Sequence, residues 1–229
     1  MVLALVLSSC TPGLIANHEA SDRMDHLSPM PYSIVCIIHG DGDYLFHDSN
    51  NDEHLADVEA LAKMQTVAEQ NPQAEVFIFH ERPKTHVLLF FPQRDGDCYV
   101  YRGGHRIAKE SYWRNEGAAR FDPEVALYER YHVAESTLAR RMFLYFGHEI
   151  PEFAGTRYDQ SYSSRTFTVA DLADGLKRMT RDTARFDLAI LSTCYNGTPR
   201  TIAALAPYAR IIVASPENLH LSYFDISPL

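Results

Sequence analysis

At 229 residues the chain has room for one large domain or two small ones, and 46% hydrophobic and 22% charged residues are ordinary proportions for a protein with a sizeable core. A formal net charge of −9 argues against non-specific attraction to nucleic acid, and no run of like charges forms a tail or a basic membrane-binding patch. The four cysteines, Cys10, Cys36, Cys98 and Cys194, are spaced too widely and irregularly for a zinc site or a disulfide framework. Cys36 lies in an apolar strand pattern and is expected in the core. Cys98, in a polar and turn-rich stretch, is expected nearer the surface.

Residues 1–10 form an apolar run too short to span a bilayer as a helix. Leu7-Ser8-Ser9-Cys10 has the lipobox form and resembles the end of a bacterial lipoprotein signal. That resemblance implies lipidation at Cys10, a lipid anchor to the membrane and a place at the bacterial cell envelope, lipoprotein or secreted. The basic segment that precedes such signals is missing, so the start is expected to be internal to a longer natural chain. Residues 11–30, with Asn17, Ser21, Asp22, Ser28 and two prolines, suit a flexible linker. Residues 31–229 are expected to form the folded domain, C-terminally incomplete because no terminating element follows Ile226.

Tyr32 to Ile38 is an apolar run that predicts a first buried strand, ending at the turn-rich His39-Gly40-Asp41-Gly42-Asp43. A helix is expected from about Glu53 to Gln70, with Leu55, Val58, Leu61, Ala62 and Val67 on its apolar face and Asn71-Pro72 stopping it. Strands follow at Glu75–His80 and His86–Phe91. Asp95-Gly96-Asp97 then turns into Cys98–Arg102, and Gly103-Gly104 turns again, as in an antiparallel meander. A helix is expected over Pro123–Ala139, with Leu127, Tyr131, Ala134 and Leu138 on one face. Next come a strand at Met142–Phe146 and a helix over Thr168–Met179, which Thr168 can cap and Asp171 can favour from its first turn. A strand at Phe186–Leu191, a short helix over Thr198–Ala206 with Pro199 in its first turn, and a strand at Arg210–Ser215 complete the series. Strands alternating with helices predict an α/β fold: a mostly parallel six-stranded sheet with helices on both faces, plus the meander.

Two of these strands deliver reactive side chains at their ends. Phe186–Leu191 leads into Ser192-Thr193-Cys194, and Met142–Phe146 leads into Gly147-His148. The C-terminal edge of a parallel sheet is where ligands bind, and a thiol with an imidazole forms a nucleophile–base pair. Cys194 also lies between a strand end and a helix start, where backbone amides and the helix dipole favour a thiolate. His148 precedes Cys194 by 46 residues, close to the ~50-residue spacing of caspases.

With these stretches in hand, together with Tyr158-Asp159, Phe167 to Leu172 and Ile211 to Glu217, the chain resembles the clostripain-like branch of the caspase-like cysteine peptidases from about Tyr32 to Asp225. The resemblance implies a caspase-like sheet, a protein or peptide substrate and no cofactor. It makes Cys194 the nucleophile and His148 the proton-handling residue. The backbone N–H groups of Glu149 and Cys194 then hold the oxyanion. Ser192, Asp159 and Ser215 become candidates for the substrate pocket, and Asp159 and Asp187 stay open as groups that orient His148. Two positions depart from the family pattern. Glu149 stands where a glycine usually follows the histidine, and a carboxylate beside a developing oxyanion is unfavourable unless it points away. Ser192 stands where an aspartate usually serves a basic substrate residue, so cleavage after Arg or Lys is not implied. These departures keep a second reading open, a non-catalytic peptide- or partner-binding domain on the same fold. An unrelated thiol hydrolase is disfavoured, because Thr193 and Tyr195 replace the glycines of a nucleophile elbow.

A second cluster, His39, Asp41, Asp43, His47, Asp48, Asp52 and His54, fits neither an EF-hand nor a paired-histidine zinc helix. It reads as a solvated acidic loop, with weak Ca2+ binding near Asp41 and Asp43 as the alternative. Tyr158, Tyr162, Tyr195 and Tyr223 are loop aromatics expected near the Cys–His edge.

Overall fold

A computed structural model of the chain describes residues 28–40, 45–47, 50–87, 91–114, 121–133, 139–154, 158–159, 162, 166–180 and 185–219. Cys10, the linker up to residue 27, Asp41, Asp43, Asp48, Ala134, Leu138 and Tyr223 lie outside the described residues.

The elements run β1 (Tyr32–His39), β2 (Leu45–His47), β3 (Glu53–Leu55), α1 (Ala56–Gln70), β4 (Ala74–Glu81), β5 (His86–Val87), β6 (Phe91–Pro92), β7 (Gly96–Arg102), β8 (His105–Tyr112), α2 (Asp122–Tyr131), β9 (Arg140–Phe146), α3 (Val169–Thr180), β10 (Phe186–Ser192), α4 (Pro199–Leu205) and β11 (Ala209–Ala214). Seven strands share one sheet in the order β11-β10-β9-β1-β4-β7-β8. The first five are parallel, and β7 and β8 extend the sheet antiparallel, as the meander predicted.

The continuous apolar runs mark strands covered on both faces. On β1, Val35 and Ile37 join one core with residues of α2, α3 and α4, while Ile34, Cys36 and Ile38 join a second core with α1. Helices therefore cover both faces. The start of α3 is secured by Asp171, which accepts from the Thr168 N–H at 2.9 Å and from its hydroxyl at 2.8 Å. In α4 the Thr198 hydroxyl accepts the Thr201 N–H at 3.1 Å, with Pro199 as the first helical residue.

The structure differs from the sequence expectations in several places, among them Glu53–Leu55, which is strand β3 rather than the start of the helix. His86–Phe91 is not a strand of the main sheet: β5 pairs with β6 in a separate two-stranded ribbon. Cys98 is buried at 1% exposure, because β7 lies inside the sheet between β4 and β8. Helix α1 presents Ala56, Ala60, Met64, Val67 and Ala68 to the sheet, and Val58 is 49% exposed. Its rotation agrees with the buried pair between Asp57 and His80 of β4, 2.8 Å apart, and its alanines allow close approach. Helix α2 stops at Tyr131, because His132 leaves it in an extended conformation to meet Glu75 at the start of β4, 2.6 Å away.

Candidate active site

The parallel register sets the ends of β9 and β10 side by side, and the two candidate residues follow them. Phe146 of β9 pairs with Ser192 of β10, so His148 and Cys194 each stand two residues beyond a matched position on neighbouring strands. Neighbouring strands lie about 4.8 Å apart, and both residues leave the same C-terminal edge. The Gly147 N–H donates to the Ser192 carbonyl at 3.3 Å, extending the ladder one step past the strands. Gly147 has φ 156°, and a β-carbon there would come within 2.9 Å of the His39 β-carbon. Only glycine lets the chain turn out toward His148 this close to β1. His148 and Cys194 are half-buried, and Glu149 is exposed.

The loops beyond the strands are clasped together. The buried Asn196 accepts the Ile150 N–H at 2.9 Å, donates to the Ile150 carbonyl at 2.8 Å, and accepts the Thr193 hydroxyl at 2.6 Å. Glu152 adds a second clasp, accepting the Thr198 and Thr201 hydroxyls at the start of α4. The loop after Cys194 is also joined to the loop after β11. The Tyr195 N–H donates to the Glu217 carbonyl at 3.1 Å, and the Gly197 N–H to the Ser215 carbonyl at 2.7 Å. Tyr195 has φ 55°, a left-handed conformation uncommon for a non-glycine residue. The Cys194 thiol donates to Asn218 Oδ1 at 2.9 Å and to the Leu219 carbonyl at 3.4 Å.

Beneath this edge is a buried ionic cluster. Arg114 Nη1 donates to Glu81 at 3.0 Å and to Asp159 at 2.8 Å, its Nη2 to the Arg82 carbonyl at 2.7 Å, and its backbone N–H to Asp95 at 2.9 Å. Burial pulls the guanidinium pKa down, but Glu81, Asp159 and Asp95 together raise it above its ordinary value. His39 Nδ1 lies 2.7 Å from Glu81 and Nε2 3.6 Å from Asp159, and its ring stacks on Tyr158 at 4.4 Å. Tyr162 donates to Asp95, and Tyr145 and Tyr158 share a hydrogen bond.

These positions sort the remaining candidates. Asp159 and Ser192 are both 0% exposed, so they belong to the interior beneath the edge, while Ser215 is half-buried at the end of β11. Asp187 is near the start of β10, where it accepts the Arg141 N–H at 3.0 Å and faces Arg140 and Arg210. It therefore stands at the opposite end of the strand from Cys194 and cannot orient His148. Tyr158 and Tyr162 are buried, and Tyr195 is exposed. His39 is buried in its ionic pair, not solvated, while His47 is exposed. Among the described residues no group of three or more His, Cys, Asp or Glu is placed to hold a metal ion. No helix among them is long and apolar enough to cross a membrane.

Asn196, Glu152 and Asn218 have no distinctive sequence signal. The Tyr195-Asn196-Gly197 pattern reads as an ordinary turn, and apart from Thr193 beside Asn196 the partners named for these side chains are 24 to 49 residues away.

No family model matches the chain, and no curated protein matches it. Solved structures do share its fold. A secreted C11 cysteine protease from Bacteroides thetaiotaomicron, "iotapain", superposes with a TM-score of 0.56 at 10% identity, over 85% of this chain and 55% of that one. A secreted C11 cysteine protease from the same organism, in complex with an irreversible peptide inhibitor, gives 0.54 at 14% identity, over 82% and 49%. An inactive zymogen C11 protease from Parabacteroides distasonis gives 0.51 at 16% identity, over 84% and 50%. The chain spans about half the length of each of these proteins. Its sheet, its helices and these neighbours together give the chain the fold of the C11, clostripain-like cysteine proteases.

Proposed function

We propose that the chain is a cysteine endopeptidase. Cys194 attacks the carbonyl carbon of a peptide bond, and His148 takes up the thiol proton and returns it to the departing amine. Water then hydrolyses the thioester, with His148 again handling the proton. The backbone N–H groups of Glu149 and Cys194 face the developing oxyanion. Ser215, half-buried just beyond β11, is assigned to the substrate pocket.

The observation that supports this reading best is the register of β9 and β10, which brings His148 and Cys194 out at matched positions on adjacent strands. The exposure of Glu149 agrees with it, since a solvated carboxylate opposes a developing oxyanion less than a buried one would. A neighbour that binds a peptide inhibitor points to a peptide substrate, and neighbours described as secreted are in keeping with an envelope or secreted location; a lipid anchor at Cys10 is proposed on the lipobox form of Leu7-Ser8-Ser9-Cys10 alone.

The test is a peptide-library cleavage profile of the wild type beside Cys194→Ala and His148→Ala. Cleavage is expected to disappear in Cys194→Ala and to fall roughly 10²- to 10⁴-fold in His148→Ala. Peptide binding without cleavage by the wild type would instead favour the non-catalytic binding domain.

A further inference from the structure

The segment that follows β11 lies against the thiol. It is held there by the Tyr195–Glu217 and Gly197–Ser215 backbone bonds, and Gly197 leaves no room for a side chain: a β-carbon would come within 2.5 Å of the Pro216 nitrogen. Ser215 closes the turn on itself, its hydroxyl accepting the Glu217 N–H at 3.1 Å and donating to the Glu217 carbonyl at 3.0 Å. Chain leaving that turn brings Asn218 and Leu219 to Cys194, where two oxygen acceptors, at 2.9 and 3.4 Å, meet the S–H.

We infer that Asn218 and Leu219 form a cap on the Cys194 thiol which a peptide must displace before it can be attacked. The inference rests on Cys194 being the nucleophile. The reactive form of cysteine is the thiolate, whereas both contacts need the proton on sulfur and turn the oxygen ends of carbonyl dipoles toward it. They also occupy space in front of the sulfur that a scissile carbonyl has to enter. Asn218 is exposed on its outer side, so an arriving peptide can push its side chain into solvent without disturbing the core. Ser215 to Glu217 stay anchored to the 195–197 turn, so displacement can begin beyond residue 217.

The test is the rate at which iodoacetamide alkylates Cys194 at pH 7, mapped by peptide mass spectrometry on the full chain. It needs no proteolytic activity. Removing one neutral hydrogen bond, in Asn218→Ala, is expected to raise the rate about fivefold. Asn218→Asp keeps an acceptor and adds negative charge, and is expected to react no faster than wild type. Protection of Cys36 and Cys98 from the reagent reports that each variant is folded. An Asn218→Ala rate equal to or below wild type overturns the cap, as does an Asn218→Asp rate above it. If Cys194→Ala still cleaved peptides, the peptidase reading would fall, while the alkylation rates would still decide whether the thiol is capped.

Discussion

Asn196 and Ile150 face each other as an amide pair, the side chain of one meeting the backbone of the other through two hydrogen bonds of 2.8 and 2.9 Å. Through this pair the loop carrying His148 and the loop carrying Cys194 become one unit. Asn196→Asp preserves the shape, removes the donor and sets a carboxylate against the Ile150 carbonyl. A buried polar group without its partner costs about 1–3 kcal/mol. Thermal denaturation is expected to show a lower Tm, with Cys194 alkylation altered in the folded protein. Identical melting and alkylation in wild type and variant would show that the clasp does not hold the two loops.

Gly147→Ala tests how closely the His148 turn rides over β1. The new methyl would come within 2.9 Å of the His39 β-carbon, at a φ of 156°. Overpacking of this kind costs about 1–3 kcal/mol, and relief requires the His148 loop to move. Urea denaturation is expected to register the loss of stability, and any peptide cleavage by the wild type is expected to drop with it.

Arg114→Met removes the cation from among Glu81, Asp159 and Asp95. Breaking a buried ion pair by deleting one partner costs about 3–5 kcal/mol. Arg114→Lys is expected to recover only part of this, because an ammonium cannot reproduce the planar fork that reaches two carboxylates and the Arg82 carbonyl. Equilibrium unfolding of the two variants ranks them. A Met variant as stable as wild type would mean the cluster is dispensable to the fold.

Tyr131 makes the fold sensitive to alkali. Burial and the hydrogen bond it donates to Glu110 push its pKa from the ordinary 10 up to about 12. The folded state therefore holds this proton more tightly than the unfolded state. The resulting stabilisation is complete below pH 10 and is lost as pH rises from 10 through 12. Unfolding free energies measured from pH 8 upward are expected to decline more steeply over that window in wild type than in Tyr131→Phe.

Thiol mapping separates core cysteines from the edge. Burial pushes the Cys36 thiol far up, and burial followed by the charge of Glu110 does the same to Cys98. At pH 8 the native protein is expected to be alkylated at Cys194 and not at Cys36 or Cys98, and all three are expected to react in urea. Rapid native labelling of Cys98 would contradict its place between β4 and β8.

Local sequence was enough to determine the central strands. Ile34–Ile38, Met142–Phe146 and Leu188–Leu191 are uninterrupted apolar runs, as expected of strands covered on both faces, and the ends of two of them already marked His148 and Cys194 as a pair. Threonine and proline likewise announced the starts of α3 and α4 through bonds that span three residues. What lay beyond local pattern was decided by partners far along the chain. Asp57 and His80 pair across the face that α1 packs on, His132 ends α2 by reaching Glu75, and Arg114 gathers acids 19 to 45 residues away into the interior. The active-site candidate follows the same division. Its two reactive residues are legible because each ends a strand. Their matched register, the Asn196 clasp, the burial of Asp159 and the Asn218 contact exist only once the sheet has brought separate loops to one edge.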